Sequence, residues 1–329
     1  MYLLSNLSLS NSYNIFVEKL IKIGGEVDFD VSLSTLSRWR IGGVARCIVK
    51  PTNLSQIQQI VVLANEFSLK YLVIGETTNL LFSDEGLDVL VIRIGKQFSQ
   101  CRIDNNLILA QAGVWVPYLA RVASVNGLTG IEHVSGIPGT LGGLVCMNGG
   151  SQRKGIGEHI TEVTTISSDG TLNRYSKKQC DFKYRDSIFH TLDDIIIEVV
   201  MELKKGGREK IRNEMLGILK SRRLKFPQKI PNCGSVFVSN PAMYKEFGPP
   251  GAVIEKCGLK GVTRGGAQVS EEHANFIVNN CEASANDVLY LIDHIRDVVS
   301  KETGYFMQAE ARYVSPCGQF IPAHKVNKI

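Results

Sequence analysis

The sequence predicts an α/β (α+β) protein that is built from two or three domains. The chain has 329 residues, about twice the length of a typical domain of roughly 150 residues. Hydrophobic residues make up 44% of the chain and charged residues 21%, as in globular proteins, which excludes disordered and fibrous classes. Segments with helical periodicity alternate along the chain with short apolar segments typical of strands, so we expect both kinds of element throughout.

A helix followed by two short strands makes up the first region. Apolar residues recur at helical spacing from Thr52 to Leu69, and Thr52 or Ser55 is in position to cap this helix. The apolar segments Tyr71 to Ile74 and Asp88 to Ile94 have the length of strands. This order predicts a compact α/β unit.

The second region is predicted to contain strands, one helix and a β-hairpin. The hairpin signal is Ser168-Asp169-Gly170, because Asp-Gly suits the positive φ angles of a tight turn. After a polar turn at Asp104 to Asn106, the elements are a strand from Leu107 to Ala112, a helix from Val116 to Val125, the hairpin strands Glu162 to Ser167 and Thr171 to Tyr175, and a strand from Asp194 to Leu203.

A basic helix, Arg208 to Lys225, leads into the last third of the chain. Its basic end, which includes Arg222, is expected to be solvated, with contact to a substrate diphosphate as the alternative. Further on, Ser284 is in position to cap a long helix that Gly304 ends.

Phe306 to Val314 has the alternation of a strand, with Ala309 and Ala311 on one face and Gln308, Glu310 and Arg312 on the other. These elements predict three regions, which we place at residues 1–95, 96–219 and 220–329.

Charge and cysteine content limit the partners and the compartment. Lys and Arg number 37 and Asp and Glu 32, a net charge of +5, which is too small to predict binding to nucleic acid. The cysteines lie far apart, without the close pairs of metal or redox sites, so no metal is expected and a reducing compartment is favoured. Met1 to Ser12 lacks the features of a signal peptide, and no segment has the length and apolarity of a membrane span. A cytoplasmic protein without membrane contact is therefore predicted.

Glycine is the most unusual feature of the composition. The chain has 31 glycines, and they are concentrated in and around Ser135-Gly136-Ile137-Pro138-Gly139-Thr140-Leu141-Gly142-Gly143. Such a segment lets the main chain approach a ligand closely and turn its N–H groups toward an anion. It is neither a P-loop nor the dinucleotide fingerprint. From the residues alone, a phosphate-cradling loop and a tight crossover between strands are equally good interpretations.

A second candidate loop, Gly75-Glu76-Thr77-Thr78-Asn79, directly follows a predicted strand, where the ligand loops of α/β proteins commonly lie. The sequence contains no metal-binding pattern and no nucleophile elbow. Two loops of this kind therefore favour a large phosphate-bearing cofactor over hydrolytic chemistry.

Several short blocks of distinctive residues follow one another along the chain. The first is Gly127-Leu128-Thr129-Gly130-Ile131-Glu132 running into Ser135 to Gly143 and Met147-Asn148-Gly149-Gly150. The others are Tyr184-Arg185-Asp186-Ser187, Gly234-Ser235-Val236-Phe237, Gly265-Gly266-Ala267-Gln268-Val269-Ser270 with His273-Ala274-Asn275-Phe276, and the segment bearing Glu310. In this order, the blocks resemble those of the UDP-N-acetylenolpyruvoylglucosamine reductase family, also called UDP-N-acetylmuramate dehydrogenases. Agreement of several blocks in order is far more specific than any single motif.

This resemblance implies a fold, two cofactors and a reaction. The fold has two α/β units of the vanillyl-alcohol-oxidase type that hold FAD, followed by a C-terminal α+β substrate domain. NADPH reduces the flavin, and the flavin passes hydride to the enolpyruvyl double bond of UDP-N-acetylglucosamine enolpyruvate, which gives UDP-N-acetylmuramate for peptidoglycan. The partners are then NADPH and the UDP-sugar, and the protein is expected to be a monomer or a weak homo-oligomer.

The resemblance also implies which residues contact FAD and the substrate. For FAD they are Gly75, Thr78, Asn79, Leu80, Ser135, Gly136, Ile137, Pro138, Gly139, Thr140, Gly142, Gly143, Asn148 and Gly149. For the UDP-sugar they are Tyr184, Arg185, Asn240, Gln268 and His273. A metal role for His273 has no companion ligands, so its second interpretation is a polar side chain satisfied within the fold.

Three residues carry the catalytic roles that the resemblance implies. Hydride addition pushes negative charge onto the substrate carboxylate, which the guanidinium of Arg185 is suited to bind. The family assigns the following proton transfer to a serine hydroxyl, here Ser235, and Glu310 matches a carboxylate that acts beside the substrate carboxylate. Without the resemblance, these would be an ion-pair arginine, a turn serine and an exposed carboxylate on an edge strand.

Two stretches depart from the family pattern. Glu76 and Thr77 stand where the family has a glycine-rich turn, and a carboxylate aimed at a pyrophosphate would be repelled, so we expect Glu76 to point outward or the loop to differ. Val238-Ser239-Asn240-Pro241 lacks the family's basic residue. The alternatives that stay open are a paralogous flavoenzyme acting on another nucleotide sugar, and a non-catalytic module that binds flavin or a nucleotide sugar.

Overall fold

The computed structural model describes Leu4 and residues 11–326. The chain forms two compact units, and each has its own apolar core. Unit 1 takes in the chain up to Phe29, Cys47–Glu76 and Val89–Arg222, and unit 2 takes in Asp30–Arg46, Thr77–Asp88 and the chain from Arg223 onward. The prediction for Met1 to Ser12 falls largely outside the described residues.

The helices of this part of the chain are α1 (Asn11–Ile23), α2 (Leu54–Glu66), α3 (Val116–Val125), α4 (Leu141–Cys146), α5 (Arg208–Lys225), α6 (Pro241–Glu246), α7 (Pro250–Lys256) and α8 (Ala285–Thr303). The strands are β1 (Glu26–Ser32), β2 (Val44–Lys50), β3 (Tyr71–Ile74), β4 (Leu80–Phe82), β5 (Leu87–Arg93), β6 (Cys101–Asp104), β7 (Leu107–Gln111), β8 (Leu128–Thr129), β9 (Ile160–Ile166), β10 (Leu172–Ser176), β11 (Ile195–Glu202), β12 (Lys204–Lys205), β13 (Thr263–Arg264), β14 (Ala267–Val269), β15 (Ile277–Asn279), β16 (Arg312–Val314) and β17 (Phe320–Pro322).

Most of unit 1 is built on two larger sheets. One has the strand order β1-β2-β5-β3, with β3 and β5 parallel, and the unit boundaries fall within β1, β2 and β5. The other is antiparallel, with the order β10-β9-β11-β7-β6. The alternation of helices with short apolar strands that the sequence predicts is confirmed.

The predicted hairpin is formed by β9 and β10, in which Leu172 pairs with Ile166. Gly170 takes a φ of 86°, as a tight turn requires. Asp169 contributes differently from the prediction, because its carboxylate accepts from the N–H of Thr171 at 2.9 Å and from the hydroxyl of Ser167 at 2.6 Å. The aspartate therefore supports the turn through its side chain.

The helix predicted at Thr52 to Leu69 is shorter at both ends. Its cap is Asn53, whose side-chain oxygen accepts from the N–H of Gln56 at 3.0 Å, so the prediction of Thr52 or Ser55 as cap is wrong. At the other end Ser68 takes a φ of 53°, a left-handed conformation that ends a helix. The predicted boundaries of α3 and α5 coincide with those of the structure.

Unit 2 packs α8 and short strands around its own core. Its sheets have the orders β13-β14-β15 and β17-β16-β4, with β16 antiparallel to β17 and parallel to β4. Ser284 caps α8 in a reciprocal arrangement with Asp287, and Gly304 ends it with a φ of 74°. Both predicted ends of this helix are confirmed.

The strand predicted from Phe306 to Val314 is confirmed only in its last three residues, β16. Before it, the chain makes single contacts with residues 236–238, among them an antiparallel bridge between Phe237 and Ala309. The burial of Ala309 and Ala311 follows the predicted alternation. The predicted alternation is therefore correct, but within residues 11–326 continuous pairing, with β4 and β17, covers only its last three residues.

The division at residues 95 and 219 stays a prediction. The predicted start of the third region lies close to the unit boundary after Arg222, whereas Asp30–Arg46 and Thr77–Asp88, which we placed in the first region, belong to unit 2. Across residues 11–326, no helix combines the length and apolarity needed to span a bilayer.

Candidate active site

The two loops predicted to bind FAD meet at Gly75 and Thr140, both in unit 1. Gly75 follows β3, and a Cβ built on it would lie 2.2 Å from the Thr140 Oγ1, so a side chain does not fit there. Thr140 directly precedes α4 and forms an antiparallel bridge with Trp115. The structure therefore brings together the first loop and the glycine-rich loop. Thr78 and Asn79, which complete the first loop, and Leu80, the first residue of β4, are half-buried and belong to unit 2.

The glycine-rich loop runs from a 3-10 turn at Glu132–Val134 into α4. The alternative of a tight crossover between strands is therefore not what the chain forms. Ser135 is buried, and its Oγ has no hydrogen-bond partner within residues 11–326. Gly136, Ile137 and Pro138 are half-buried, and Gly143 is exposed. A buried hydroxyl without a partner is costly, so this loop is suited to a polar ligand.

Main-chain hydrogen bonds hold the end of this loop in place. The N–H groups of Leu141 and Gly142 donate to the carbonyls of Val114 and Ala112, each at 2.8 Å, and the carbonyl of Gly139 accepts from Val116 at 3.0 Å. The amides of Leu141 and Gly142 are thus already bonded and not available to an anion. Gly142 is instead needed for close packing, because a Cβ there would lie 3.0 Å from the Cβ of Ala112.

The departures at Glu76 and Thr77 have a structural account. Glu76 forms an ion pair with Arg93 at 3.6 Å and is one-third exposed, at 33%. Thr77 takes a φ of 54°, a left-handed conformation that favours glycine. Its hydroxyl donates to the carbonyl of Leu36 at 3.0 Å, and this bond offsets part of the strain of a β-branched residue at that position.

Arg222 lies against Gly136 of the glycine-rich loop. A Cβ on Gly136 would lie 2.4 Å from the Arg222 Cδ and 2.7 Å from its Nε. Burial lowers the pKa of the Arg222 guanidinium from its ordinary value. The expectation that this end of α5 is solvated is therefore wrong for Arg222, which brings a positive charge to the loop.

Asn148 and Gly149 follow the end of α4. Gly149 packs against α4, since a Cβ there would lie 2.6 Å from Cδ1 of Leu144. Asn148 has a φ of 40°, and both ends of its side-chain amide are bonded to main-chain groups, the carbonyl of Lys183 and the N–H of Gly157.

Arg185 lies in a tight turn of unit 1 with a φ of 57°. Its Nη2 donates to the carbonyl of Gly150 at 3.0 Å, and its guanidinium lies 5.4 Å from the centre of the Tyr184 ring. Tyr184 itself is 59% exposed. The predicted arginine is therefore held by a main-chain oxygen at one edge and by an aromatic ring at its face.

Ser235 and Glu310 lie on adjacent antiparallel segments of unit 2. The N–H of Glu310 donates to the carbonyl of Val236 at 2.7 Å, and the N–H of Val238 donates to the carbonyl of Gln308 at 3.0 Å. Both Ser235 and Glu310 are half-buried. Burial, together with the charge of Glu310, raises the pKa of the Cys233 thiol, so this thiol stays protonated at neutral pH. The structure therefore brings the predicted serine and glutamate together.

Two asparagines hold these segments. The amide of Asn79 donates to the carbonyl of Glu310 at 2.9 Å. Asn275 binds both main-chain groups of Phe237, accepting from its N–H at 2.9 Å and donating to its carbonyl at 3.0 Å. Asn79, predicted as an FAD contact, thus also supports the position of Glu310.

The predicted substrate residues Asn240, Gln268 and His273 have partners within unit 2. Asn240 caps α6, accepting from Ala242 at 2.9 Å and from Met243 at 3.2 Å. Gln268 accepts from the amide of Asn280 at 2.7 Å.

His273 stacks edge-on against Phe226 and Phe276, with ring centres 5.3 and 5.0 Å away. Its Nδ1 accepts from the N–H of Asn275 at 3.2 Å, and burial lowers its pKa. These contacts favour the second interpretation of His273, a neutral side chain satisfied within the fold.

Three further residues hold predicted residues in place within their own units, and the sequence did not single them out individually. They are Gly150, whose carbonyl binds Arg185, Asn275, and Asn232, whose amide donates to the carbonyls of Pro227 and Ile230, each at 2.7 Å, and accepts from Gly234 next to Ser235. Asn232 could have been found as an asparagine two residues before a glycine, a common turn signal. Gly150 and Asn275 lie within blocks that carry the family resemblance, but the blocks could not predict these bonds, because the partners lie far away in sequence.

The residues of the loops fit a bound FAD. The fit rests on the partnerless hydroxyl of Ser135, on the exposed Gly143 and on the positive charge of Arg222 beside Gly136. A hydroxyl and a guanidinium placed in this way suit a diphosphate. Within residues 11–326, no group of three or more His, Cys, Asp or Glu side chains is placed to hold a metal ion.

Comparison with known proteins first defines the class. Residues 45–176 match the model of a family described as an FAD binding domain, so the first part of the chain is of a flavin-binding class. Residues 226–314 match the C-terminal domain model of UDP-N-acetylenolpyruvoylglucosamine reductase.

Full-length relatives then define the family. The chain is 44% identical to UDP-N-acetylenolpyruvoylglucosamine reductase 1 of Corynebacterium glutamicum, over 92% of this chain and 91% of that protein. It is 38% identical to the reductase of Halalkalibacterium halodurans, over 88% and 95%. The crystal structure of the enzyme from Thermus caldophilus superposes with a TM-score of 0.72 at 29% identity, covering 88% of this chain and 98% of that one. The chain belongs to the UDP-N-acetylenolpyruvoylglucosamine reductase family, which confirms the resemblance and the predicted fold.

Proposed function

We propose that this protein is an FAD-dependent reductase that uses NADPH to convert UDP-N-acetylglucosamine enolpyruvate into UDP-N-acetylmuramate for peptidoglycan synthesis. One observation carries the proposal: the 44% identity to a reductase of that name extends over 92% of the chain, through both the flavin-binding and the C-terminal regions. Ser235 and Glu310 lie within the matched C-terminal domain, residues 226–314, and Arg185 lies between the two matched regions.

When bound, FAD supplies the hydride that it has received from NADPH. The residues that would hold FAD are those around the contact of the two loops, chiefly Gly75, Ser135, Gly136 and Thr140. The buried Ser135 hydroxyl is suited to donate to a polar group of the cofactor. Arg222 beside Gly136 contributes positive charge to the same loop.

Arg185 binds the carboxylate of the enolpyruvyl group. Hydride addition to the terminal carbon turns this group into an enolate-like anion, and a guanidinium stabilises that charge at any working pH. The hydrogen bond that Arg185 donates to the Gly150 carbonyl fixes one edge of the guanidinium, so that less orientational freedom is lost when the substrate binds.

Ser235 donates a proton to the carbon next to the carboxylate, and Glu310 acts beside the substrate carboxylate. A serine hydroxyl is a weak acid, so its rate of proton transfer depends on position. Main-chain pairing supplies that position, because Ser235 and Glu310 lie on bonded neighbouring segments.

The test follows the two half-reactions separately under anaerobic conditions. We expect NADPH to bleach the flavin absorbance, and UDP-N-acetylglucosamine enolpyruvate to restore it. Ser235→Ala should leave flavin reduction intact and slow flavin reoxidation by about 100-fold or more. Ser300→Ala, a serine change on α8 of the same unit, is the matched control and should alter neither half-reaction.

Three results would contradict this proposal. Faster reoxidation by another nucleotide sugar would point to a paralogous flavoenzyme, and no reoxidation by any would point to a binding module. Equal loss in both half-reactions of Ser235→Ala would remove Ser235 as proton donor. The cytoplasmic location and the monomer or weak homo-oligomer stay predictions.

A further inference from the structure

Asn148 occupies an unusual place directly after α4. Its φ of 40° lies in the left-handed region, which asparagine tolerates better than most residues. The residue is half-buried. Such a position is kept only when the surrounding structure holds it, so its side-chain bonds are informative.

The amide of Asn148 is built into a pocket of main chain. Its Nδ2 donates to the carbonyl of Lys183 at 2.7 Å, and its Oδ1 accepts from the N–H of Gly157 at 2.9 Å. A Cβ on Gly155 would lie 2.5 Å from the Asn148 Oδ1, and a Cβ on Gly157 would lie 2.9 Å from it. Two glycines therefore make room for this one amide, which has little space left to turn toward a cofactor.

The carbonyl that Asn148 binds belongs to the turn that carries Arg185. Lys183 and Asp186 close this turn, with main-chain bonds of 3.0 and 3.2 Å between them. Two residues after Asn148, the carbonyl of Gly150 accepts from the Arg185 Nη2 at 3.0 Å. One short segment thus holds both the base of the turn and the guanidinium at its tip.

The other side of the turn is held by residues at the C-terminal end of α4. The hydroxyl of Ser187 donates to the carbonyl of Cys146 at 2.7 Å. His190 bonds Asp186 at 2.7 Å through Nδ1 and contacts the sulfur of Met147 at 3.1 Å through Nε2. The turn is therefore tied to residues 146–150 at several points, and the side-chain bond of Asn148 reaches the first residue of the turn, Lys183.

We propose that Asn148 is a positioning residue that sets the location of the Arg185 guanidinium, in place of the cofactor contact predicted from sequence. The proposal rests on the proposed function in that Arg185 binds the substrate carboxylate. It acts through geometry, because a displacement of about 1 Å from a productive arrangement can cost about 100-fold in rate.

The decisive variant is Asn148→Asp. It keeps the size, the tolerance of a left-handed φ and the acceptor for Gly157, but it sets a carboxylate oxygen against the Lys183 carbonyl where a donor stood. We expect amide exchange in residues 183–186 to speed up by about tenfold. Flavin reoxidation by substrate should slow by about tenfold while reduction by NADPH and the FAD dissociation constant change less than about twofold.

Two further variants make the result interpretable. Asn148→Gly removes both bonds without strain at a φ of 40°, so it should act in the same direction even if the aspartate disturbs folding. Asn126→Asp is the matched control, since the Asn126 amide also donates to a carbonyl, that of Val122 at 2.8 Å, but at the end of α3. It should leave amide exchange in residues 183–186, both flavin half-reactions and the FAD dissociation constant unchanged.

Each contrary outcome is distinct. A larger FAD dissociation constant, with unchanged amide exchange and unchanged reoxidation of the FAD-loaded enzyme, would show that Asn148 is a cofactor contact. Equal slowing of both half-reactions would make its role generally structural, and no change in exchange would end the proposal. Should the wild-type flavin fail to react with the substrate, the proposed function is lost, whereas amide exchange and the FAD titration still decide whether Asn148 holds the turn.

Discussion

The turn that carries Arg185 and the paired segments that carry Ser235 and Glu310 are held in place by different means. In unit 1, the Arg185 turn is tied to residues 146–150 largely through side chains, among them Asn148 and Ser187. In unit 2, Ser235 and Glu310 lie on segments joined by main-chain bonds, and asparagines reinforce them.

The difference has consequences for how each region responds to change. A side-chain bond disappears with a single substitution, whereas a main-chain bond survives replacement of the residue that makes it. A titratable group also contacts the segment that holds the Arg185 turn. Directly after residues 146–150, the N–H of Ser151 donates to Nδ1 of the buried His133 at 3.4 Å. We therefore expect the Arg185 turn to be the more easily disturbed of the two.

The largest effect is expected from Gly150→Ala. A Cβ on Gly150 would lie 1.9 Å from the carbonyl oxygen of Lys154, so the loop must shift and with it the carbonyl that binds Arg185. We expect a loss of about 3 kcal/mol or more of unfolding free energy, and faster amide exchange in residues 183–190 than in residues 235–238.

The matched control for this variant is Gly217→Ala. Gly217 lies in α5, where a Cβ would meet nothing within 4 Å, so alanine should raise stability by about 0.5–1 kcal/mol. Equal acceleration of exchange in both segments by Gly150→Ala would show that the two regions do not respond separately.

Asn275→Ala should produce the reverse pattern, at a cost of about 2–3 kcal/mol. The variant leaves the N–H and the carbonyl of the buried Phe237 without the partners that Asn275 supplies. Amide exchange should then speed up in residues 235–238 and stay unchanged in residues 183–190. Asn286→Ala, at an exposed position in the first turn of α8, is the control. Unchanged exchange near Phe237 would contradict the role assigned to Asn275.

Acidification should weaken unit 1 through His133, with the smallest of the three effects. Burial, with the positive charge of Lys154, lowers the pKa of His133 from 6.5 to about 4. The unfolded chain therefore binds more protons between those pH values, so stability is fully present above pH 6.5 and falls as the pH drops toward 4. At pH 5 we expect a loss of about 2 kcal/mol relative to neutral pH.

The measurement is urea unfolding at pH 7 and pH 5, followed by the indole resonance of Trp115 in unit 1. His133→Asn keeps an acceptor for Ser151 and removes the titration, so its loss on acidification should be smaller than that of the wild type. The pKa values of His159, His273 and His324 are also lowered by burial, and the comparison with His133→Asn isolates the share of His133. An identical loss in both proteins would contradict this assignment.

Local signals predicted much of the fold correctly. The helix at Val116 to Val125, the capped helix after Ser284 and the hairpin at Gly170 depend on residues close in sequence, and each is confirmed. Phe306 to Val314 is the contrast. Its alternation predicts which residues are buried, but a strand also needs a partner, and only β4 and β17 supply one, to its last three residues.

The candidate site divides in the same way. The motifs identified Arg185, Ser235 and Glu310, and the structure places the last two on neighbouring segments. For Asn79, Asn148 and Asn240, the motifs indicated that the residue matters but not which group its side chain binds. A side-chain amide binds a cofactor, a sugar or a main-chain carbonyl equally well. Their bonds to Glu310, Lys183 and the start of α6 became visible only in three dimensions.

By itself, the sequence determined the family and the flavin-binding class, and it predicted the catalytic residues, because each depends on residue types at fixed local spacings. The tertiary structure decided which carbonyl holds Arg185, why Thr77 stands in a left-handed position and which glycines make room for neighbours rather than for a ligand. The physical reason is that hydrogen bonds and steric exclusion act over a few ångströms between groups that the chain separates by tens or hundreds of residues.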